Sequence, residues 1–207
     1  MQTILPPRAD RLTGTIRLVA IGASAGGVEA LGILLRAIPA NCPAAFVVVL
    51  HMAPDRSSRL PQLYAQRCQL RLKEAEDKEA VLAGTVYFAV ADYHLQIEPE
   101  RTFSLSLDAA VNYSRPAIDV LFESAAYTYG KEMLGIILTG ASADGAAGLA
   151  TVRQCGGHAW VQDPAQALAG IMPAAALKLA GADRVWDVHQ MAAALAGFTG
   201  VGSISPE

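Results

Sequence analysis

The run Ala44-Ala45-Phe46-Val47-Val48-Val49-Leu50 carries no polar side chain and is followed directly by His51. A strand with one face in water alternates apolar and polar residues. An unbroken valine-rich run over 45–50 therefore predicts a strand covered on both faces, as in a parallel sheet flanked by helices. The pattern recurs. Arg17–Ile21 and Leu134–Leu138 also read as buried strands, each followed by a glycine-containing turn and then by helical apolar spacing, over 26–38 and 146–155. Strand, turn and helix repeated in this way specify the α/β class: a doubly wound, mainly parallel sheet with helices on both faces.

Between these units the spacing predicts a helix over 54–68 with Ser57 or Ser58 as cap, and a short strand at Leu70–Glu74. Thr85–Val90, Leu95–Glu98 and Phe103–Leu107 alternate or pair across turns, which predicts an inserted antiparallel hairpin and hence a mixed sheet. Pro116–Tyr129 places Ile118, Leu121, Phe122 and Ala125 on one helical face. A strand at His158–Gln162 and helices near 173–179 and 189–196 complete the pattern. One domain over 17–198 is expected, with a leader over 1–16 and a short flexible tail over 199–207.

Composition narrows the function classes. With 207 residues, 53% of them hydrophobic and 17% charged, the chain has enough apolar material for one core. A net charge of −3 without a Lys/Arg cluster lacks the electrostatic footprint of a nucleic-acid binder. The apolar run at 44–50 is the longest in the chain and far short of the roughly 18 residues of a membrane span, so no membrane insertion is expected. The N-terminal segment has no signal-peptide pattern, which predicts a cytoplasmic protein. Cys42, Cys68 and Cys155 are odd in number and widely spaced, which fits reduced thiols, and the four histidines are scattered; neither a metal nor a cofactor site is expected.

In such sheets the loops after the strands carry the chemistry. The first, Gly22-Ala23-Ser24-Ala25-Gly26-Gly27, has the G-x-S-x-G spacing of a nucleophile elbow, which makes Ser24 a candidate nucleophile and the helix start behind it a candidate oxyanion site. Taken alone, the same turn also fits a serine N-cap. The second loop opens with His51, a candidate general base, although a lone histidine is more often structural. The third, Thr139-Gly140-Ala141-Ser142-Ala143-Asp144-Gly145, offers Asp144 to orient an imidazole, or merely to cap the next helix. Together the three sit at one expected rim. The order Ser, Asp, His of an α/β-hydrolase would instead pair Asp144 with His158 or His189, but that fold has strands before the elbow. A dinucleotide site would require G-x-G-x-x-G and an acidic residue where this chain has His51.

These segments resemble the catalytic domain of the protein-glutamate methylesterases of bacterial chemotaxis, a family that includes chemoreceptor glutamine deamidases. The resemblance runs from about Leu18 to Leu195. It is carried by Ile21–Gly27, Leu50-His51-Met52-Ala53-Pro54, Gly84–Ala89, Tyr93-His94-Leu95, Arg115–Ala125, Ile137–Gly140 with Asp144-Gly145-Ala146, Gln162-Asp163, and Gly170-Ile171-Met172-Pro173. It implies a Ser24–His51–Asp144 triad, no cofactor, and hydrolysis of glutamate methyl esters on methyl-accepting chemotaxis receptors. It also implies that Ala25 and Ala141 form the oxyanion site and wall.

Two departures bear on activity: Ala25 stands where threonine is frequent, and Ala141-Ser142 stand where the family pattern has methionine and glycine. They motivate an alternative expectation, a catalytically weak scaffold that binds a receptor or another partner through the same fold. Asp163 is the next candidate for the orienting carboxylate. Many members carry a phosphoacceptor receiver domain before the catalytic one. Residues 1–16 are too short to encode it, so the expectation is either an isolated catalytic fragment or a stand-alone protein controlled by a separate regulatory protein.

Overall fold

The structure, a computed structural model, describes residues 16–51 and 59–198. In chain order its strands are β1 (Leu18–Ala23), β2 (Ala45–Leu50), β3 (Arg71–Glu74), β4 (Thr85–Phe88), β5 (His94–Ile97), β6 (Phe103–Ser106), β7 (Met133–Ile137), β8 (His158–Gln162) and β9 (Arg184–Trp186). Its helices are α1 (Gly27–Ala37), α2 (Leu60–Tyr64), α3 (Ile118–Tyr129), α4 (Ala146–Gln154), α5 (Ile171–Leu179) and α6 (Val188–Ala196).

Seven strands form one sheet in the order β3-β4-β2-β1-β7-β8-β9, and every pairing within it is parallel. The expectation of a mixed sheet is corrected here. The antiparallel pair β5–β6 is a separate two-stranded sheet that packs on α3, because Leu95, Ile97 and Phe103 turn their apolar side chains into the same core as Phe122 and Leu121. β4 belongs to the parallel sheet rather than to the hairpin region.

Side chains alternate across the sheet, so its central strands feed two cores. Val19, Ile21, Phe46, Val48, Leu134 and Ile136 meet Leu31, Leu34 and Leu35 of α1 and Met191 and Leu195 of α6. Leu18, Ala20, Val47, Val49, Met133 and Ile137 meet Ile118, Leu121 and Phe122 of α3, Leu149 of α4 and Met172 of α5. Covered on both sides, β2 has no position where a polar residue would reach water, which is why its sequence lacks alternation.

The helix expected over 54–68 is observed only as Leu60–Tyr64. Residues 52–58, with the proposed caps Ser57 and Ser58 and the Met52-Ala53-Pro54 segment, lie outside the described residues, as do residues 1–15 and the tail at 199–207. Ile16, assigned to the leader, is buried in the first core. β9 was not expected: it is short, and its residues are only half-buried or exposed, so it carries neither of the usual strand patterns. Among the described residues no helix is long and apolar enough to cross a membrane.

The strand order sets the position of the site. From β1 the sheet winds one way through β2 and the other way through β7, so the crevice between the carboxyl ends of β1 and β7 is the switch point where such sheets bind ligands.

Candidate active site

Three loops meet at that crevice. The Ser24 amide donates to the Thr139 carbonyl at 3.0 Å and the His51 amide donates to the Ala23 carbonyl at 3.0 Å, so the ends of β7, β1 and β2 stand side by side. Ser24 begins a turn closed by the Gly27 amide on its carbonyl at 2.8 Å. α1 then starts behind Gly26, whose φ of +80° places it in the left-handed region. A Cβ at Gly26 would stand 2.9 Å from Leu168 and 3.2 Å from the Thr139 methyl, so only glycine suits both the backbone and the space. The amides of Ala25 and Gly26 have no backbone partner among the described residues, which leaves two N–H donors beside the serine at the positive end of α1.

The imidazole of His51 meets Asp144 with Nε2 2.8 Å from Oδ2. The Ser24 hydroxyl makes no hydrogen bond among the described residues, so the contact from serine to imidazole is not made in this structure. Since Nε2 is engaged by the carboxylate, Nδ1 is the nitrogen left for the serine proton. Ring usage would thus be the reverse of the triad in which Nδ1 faces the aspartate.

Asp144 is fully buried and accepts four hydrogen bonds. Oδ2 takes His51 Nε2 and the Ile118 amide at 2.6 Å; Oδ1 takes the Asp119 amide at 3.2 Å and Asn112 Nδ2 at 3.0 Å. Burial pushes its carboxyl upward, but the donors from His51, Ile118, Asn112 and Asp119 outweigh it and hold Asp144 below the usual carboxylate range. Two of those donors are the first amides of α3, whose own cap, Ala117, offers no side-chain oxygen. Asp144 therefore caps α3, not the helix that follows it in sequence. That following helix, α4, is served from α3: Asp119 Oδ1 accepts the Gly148 amide at 2.7 Å. The starts of α3 and α4 are capped reciprocally. For Asp119, burial is the largest influence and raises the carboxyl; the Gly148 amide opposes it and the nearby Asp144 charge adds to it.

Several residues of the site were given no role by the sequence. Thr139, buried at the end of β7, donates from Oγ1 to the Ala25 carbonyl at 2.8 Å and accepts there from the Ala169 amide at 2.9 Å. Its own amide donates to Gln162 Oε1 at 2.8 Å, which ties β8 to the same junction. His94 is buried. Its Nδ1 accepts the Ala117 amide at 3.2 Å, which leaves the proton on Nε2, 3.1 Å from the Ala109 carbonyl. His94 thereby fixes both ends of the loop that leads into α3. The Asn112 contact was also not foreseen; an asparagine shortly before Arg115-Pro116 is a turn signal in the sequence, and its φ of 52° bears that out, but nothing local marks its remote partners.

The remaining candidates fall elsewhere. His158 opens β8 at the opposite rim, in register with Leu134, and faces Asp183 at 3.9 Å, which removes it as a partner of Asp144. His189 is exposed at the start of α6, beyond β9 and two strands away from β7. Asp163 commits a carboxylate oxygen to the Ala165 amide at 2.9 Å. Ala25 and Ala141 are both exposed at the crevice loops. Next to Ala141, Gly140 is fastened by its amide to the Ala169 carbonyl and by its carbonyl to the Met172 amide, each at 2.9 Å. Ser142, the other departure in this turn, turns its hydroxyl oxygen toward the Asp144 amide at 3.4 Å.

Residues 19–195 match the family model described as CheB methylesterase. The chain is 40% identical over 174 residues to a Leptospira interrogans protein provisionally named as a protein-glutamate methylesterase/protein-glutamine glutaminase, a match covering 84% of this chain and 90% of that one. It is 36% identical over 187 residues to the Escherichia coli K12 protein-glutamate methylesterase/protein-glutamine glutaminase, covering 89% of this chain but only 53% of that longer relative. The catalytic domain of Thermotoga maritima CheB methylesterase superposes with a TM-score of 0.83 at 32% identity, covering 88% of this chain and 98% of the other. Matched along nearly the whole of its sheet, from β1 to α6, this chain belongs to the CheB methylesterase family.

Proposed function

We propose that this chain is a serine hydrolase that removes methyl esters from glutamate side chains of methyl-accepting chemotaxis receptors, and deamidates glutamine at such sites, with residues 17–198 as the catalytic unit. The observation that carries this reading is a buried, charged carboxylate bonded to His51 at 2.8 Å, beside a serine on a left-handed glycine turn at the switch point of the sheet. The names of the relatives supply the substrate class.

In this mechanism His51 Nδ1 takes the Ser24 proton as Oγ attacks the ester carbonyl, after the hydroxyl turns toward the ring. The amides of Ala25 and Gly26, with the Ala141 turn as the facing wall, receive the developing oxyanion at the α1 N-terminus. The imidazolium, stabilised by Asp144, returns the proton to methoxide, a poor leaving group, and methanol departs from the acyl-enzyme. Water then attacks with His51 again as base, and Ser24 leaves with the proton, giving the glutamate and free enzyme. Amide hydrolysis follows the same path with ammonia departing. No cofactor enters any step. A receptor substrate of this kind implies a cytoplasmic enzyme.

The scaffold reading draws on Ala141 and Ser142, but Ser142 supports the Asp144 amide, so the altered turn still presents the carboxylate. The deciding experiment is methanol release from a methylated receptor fragment. Wild type should exceed Ser24→Ala by orders of magnitude, and a fluorophosphonate should label wild type, Ser24→Ala not at all, and His51→Ala slowly. Equal methanol release by wild type and Ser24→Ala would reject the esterase.

A further inference from the structure

Asn112 lies on the loop between β6 and α3, outside the three catalytic loops, and is itself exposed. Its Nδ2 nevertheless reaches two buried carboxylates at once: Asp119 Oδ2 at 2.8 Å and Asp144 Oδ1 at 3.0 Å. An amide nitrogen has two hydrogens, and here each points at a different carboxylate. The loop is built to hold that nitrogen in place. Val111 and Ser114 exchange backbone hydrogen bonds at 3.1 and 2.9 Å, and Arg115 donates to the carbonyls of Leu107 at 2.9 Å and Asp108 at 3.0 Å. Arg115 also pairs with Asp92 at 2.8 Å, and His94 holds the Ala109 carbonyl and the Ala117 amide. Asn112 and Tyr113 both have positive φ, 52° and 61°, the second a conformation that a bulky residue seldom adopts.

We propose that Asn112 is a positioning residue of the triad: its amide separates the Asp119 and Asp144 carboxylates and keeps Asp144 ionised and aimed at His51. The inference rests on the esterase reading for its kinetic consequence but not for its electrostatic one. Two carboxylates in one buried pocket oppose each other's ionisation, and a donor shared between them offsets that repulsion. The groups facing the pair are the His51 imidazole from the end of β2, Asn112 from the loop, and Glu123 on α3, whose carboxyl is raised by burial and then by Asp119. Without the amide, Asp144 binds its proton at a higher pH. A protonated Asp144 no longer stabilises the imidazolium.

The test is the pH profile of kcat/KM for wild type, Asn112→Gly and Asn112→Asp. Glycine accepts the left-handed backbone and removes the donor; aspartate keeps the size and adds a third carboxylate. Because residue 112 is exposed, both variants keep the core. Asn112→Gly should leave KM nearly unchanged and move the Asp144 inflection on the acid limb up by about half to one pH unit, so that kcat/KM falls progressively below pH 5, by roughly three- to ten-fold beneath both inflections; Asn112→Asp should move it further. Limbs that superimpose on wild type after scaling would overturn the proposal, since a merely structural role changes amplitude alone. Carbon-13 titration of the Asp144 carboxyl in the same proteins needs no turnover. An inactive wild type would reject the esterase, while an Asp144 titration unchanged by Asn112→Gly would reject the positioning role.

Discussion

An Asp144→Asn substitution keeps the outline of the side chain and removes its charge, and the four donors around Asp144 set the cost. An asparagine has one oxygen for those four hydrogens. With its oxygen toward His51 and Ile118, its NH₂ faces the Asp119 amide and Asn112, two other donors. Flipped, the NH₂ faces the Ile118 amide and makes Nε2 of His51 an acceptor, which moves the ring proton to Nδ1, the nitrogen required by Ser24. In either orientation one buried backbone amide at the start of α3 loses its acceptor, costing about 1–3 kcal/mol, and a charge-assisted bond is lost as well, for a total near ~3 kcal/mol. In a chain of this size that lowers Tm by about 6–12 °C. Turnover should fall by about three to four orders of magnitude, the scale of charge removal in a serine protease triad. Thermal unfolding followed by circular dichroism, run beside methanol release, checks both. A rate within ten-fold of wild type, or a Tm within about 2 °C, would refute the role assigned to this carboxylate.

The stability difference between wild type and Asp144→Asn should depend on pH with a fixed sign. Asp144 has a folded pKa below its unfolded one, so its contribution is complete above about pH 5 and is lost as pH falls through the ordinary value of 3.8 toward the depressed one. Urea melts at pH 7 and pH 3 should show the gap narrowing; a constant gap would contradict the sign. Ser24→Ala should leave Tm within about 1 °C of wild type while abolishing labelling, because its hydroxyl bonds nothing among the described residues. Thr139→Val, which loses the bonds to Ala25 and Ala169, should cut kcat by roughly 10- to 100-fold, and Thr139→Ser, which keeps the hydroxyl, should retain most of the activity; a serine defect as large as that of valine would refute the hydroxyl's role. Gly26→Ala should lower stability by about 1–2 kcal/mol through its positive φ and its contact with Leu168, read as a shifted urea midpoint.

Much of the fold and of the site was legible because both rest on covered strands. The runs at 45–50 and 158–162 match β2 and β8 at both ends, since a strand packed on two faces leaves no ambiguity of period. Rim residues follow from counting to the ends of such strands, which is how Ser24, His51 and Asp144 came together on paper. What escaped has a common cause: it depends on partners remote in sequence. Asp144 was expected either to orient an imidazole or to cap α4; it meets His51, and the helix it caps is α3 rather than α4. The hairpin was placed in the main sheet because strand pairing cannot be read from a single strand's pattern, and its apolar residues turned out to serve α3. Thr139 and Asn112 act through side-chain hydrogen bonds from a turn and a loop, where no periodicity exists to be read.

The reciprocal tie between the two helix starts has a bearing on how relatives of this chain should be judged. A descendant that abandoned catalysis would still need an acid at position 144 to hold its architecture, so keeping that acid says little about whether ester bonds are being cut. Among the described residues the hydroxyl at position 24 supports nothing else. Loss of that one oxygen is the mark by which an inactive lineage should first be recognised.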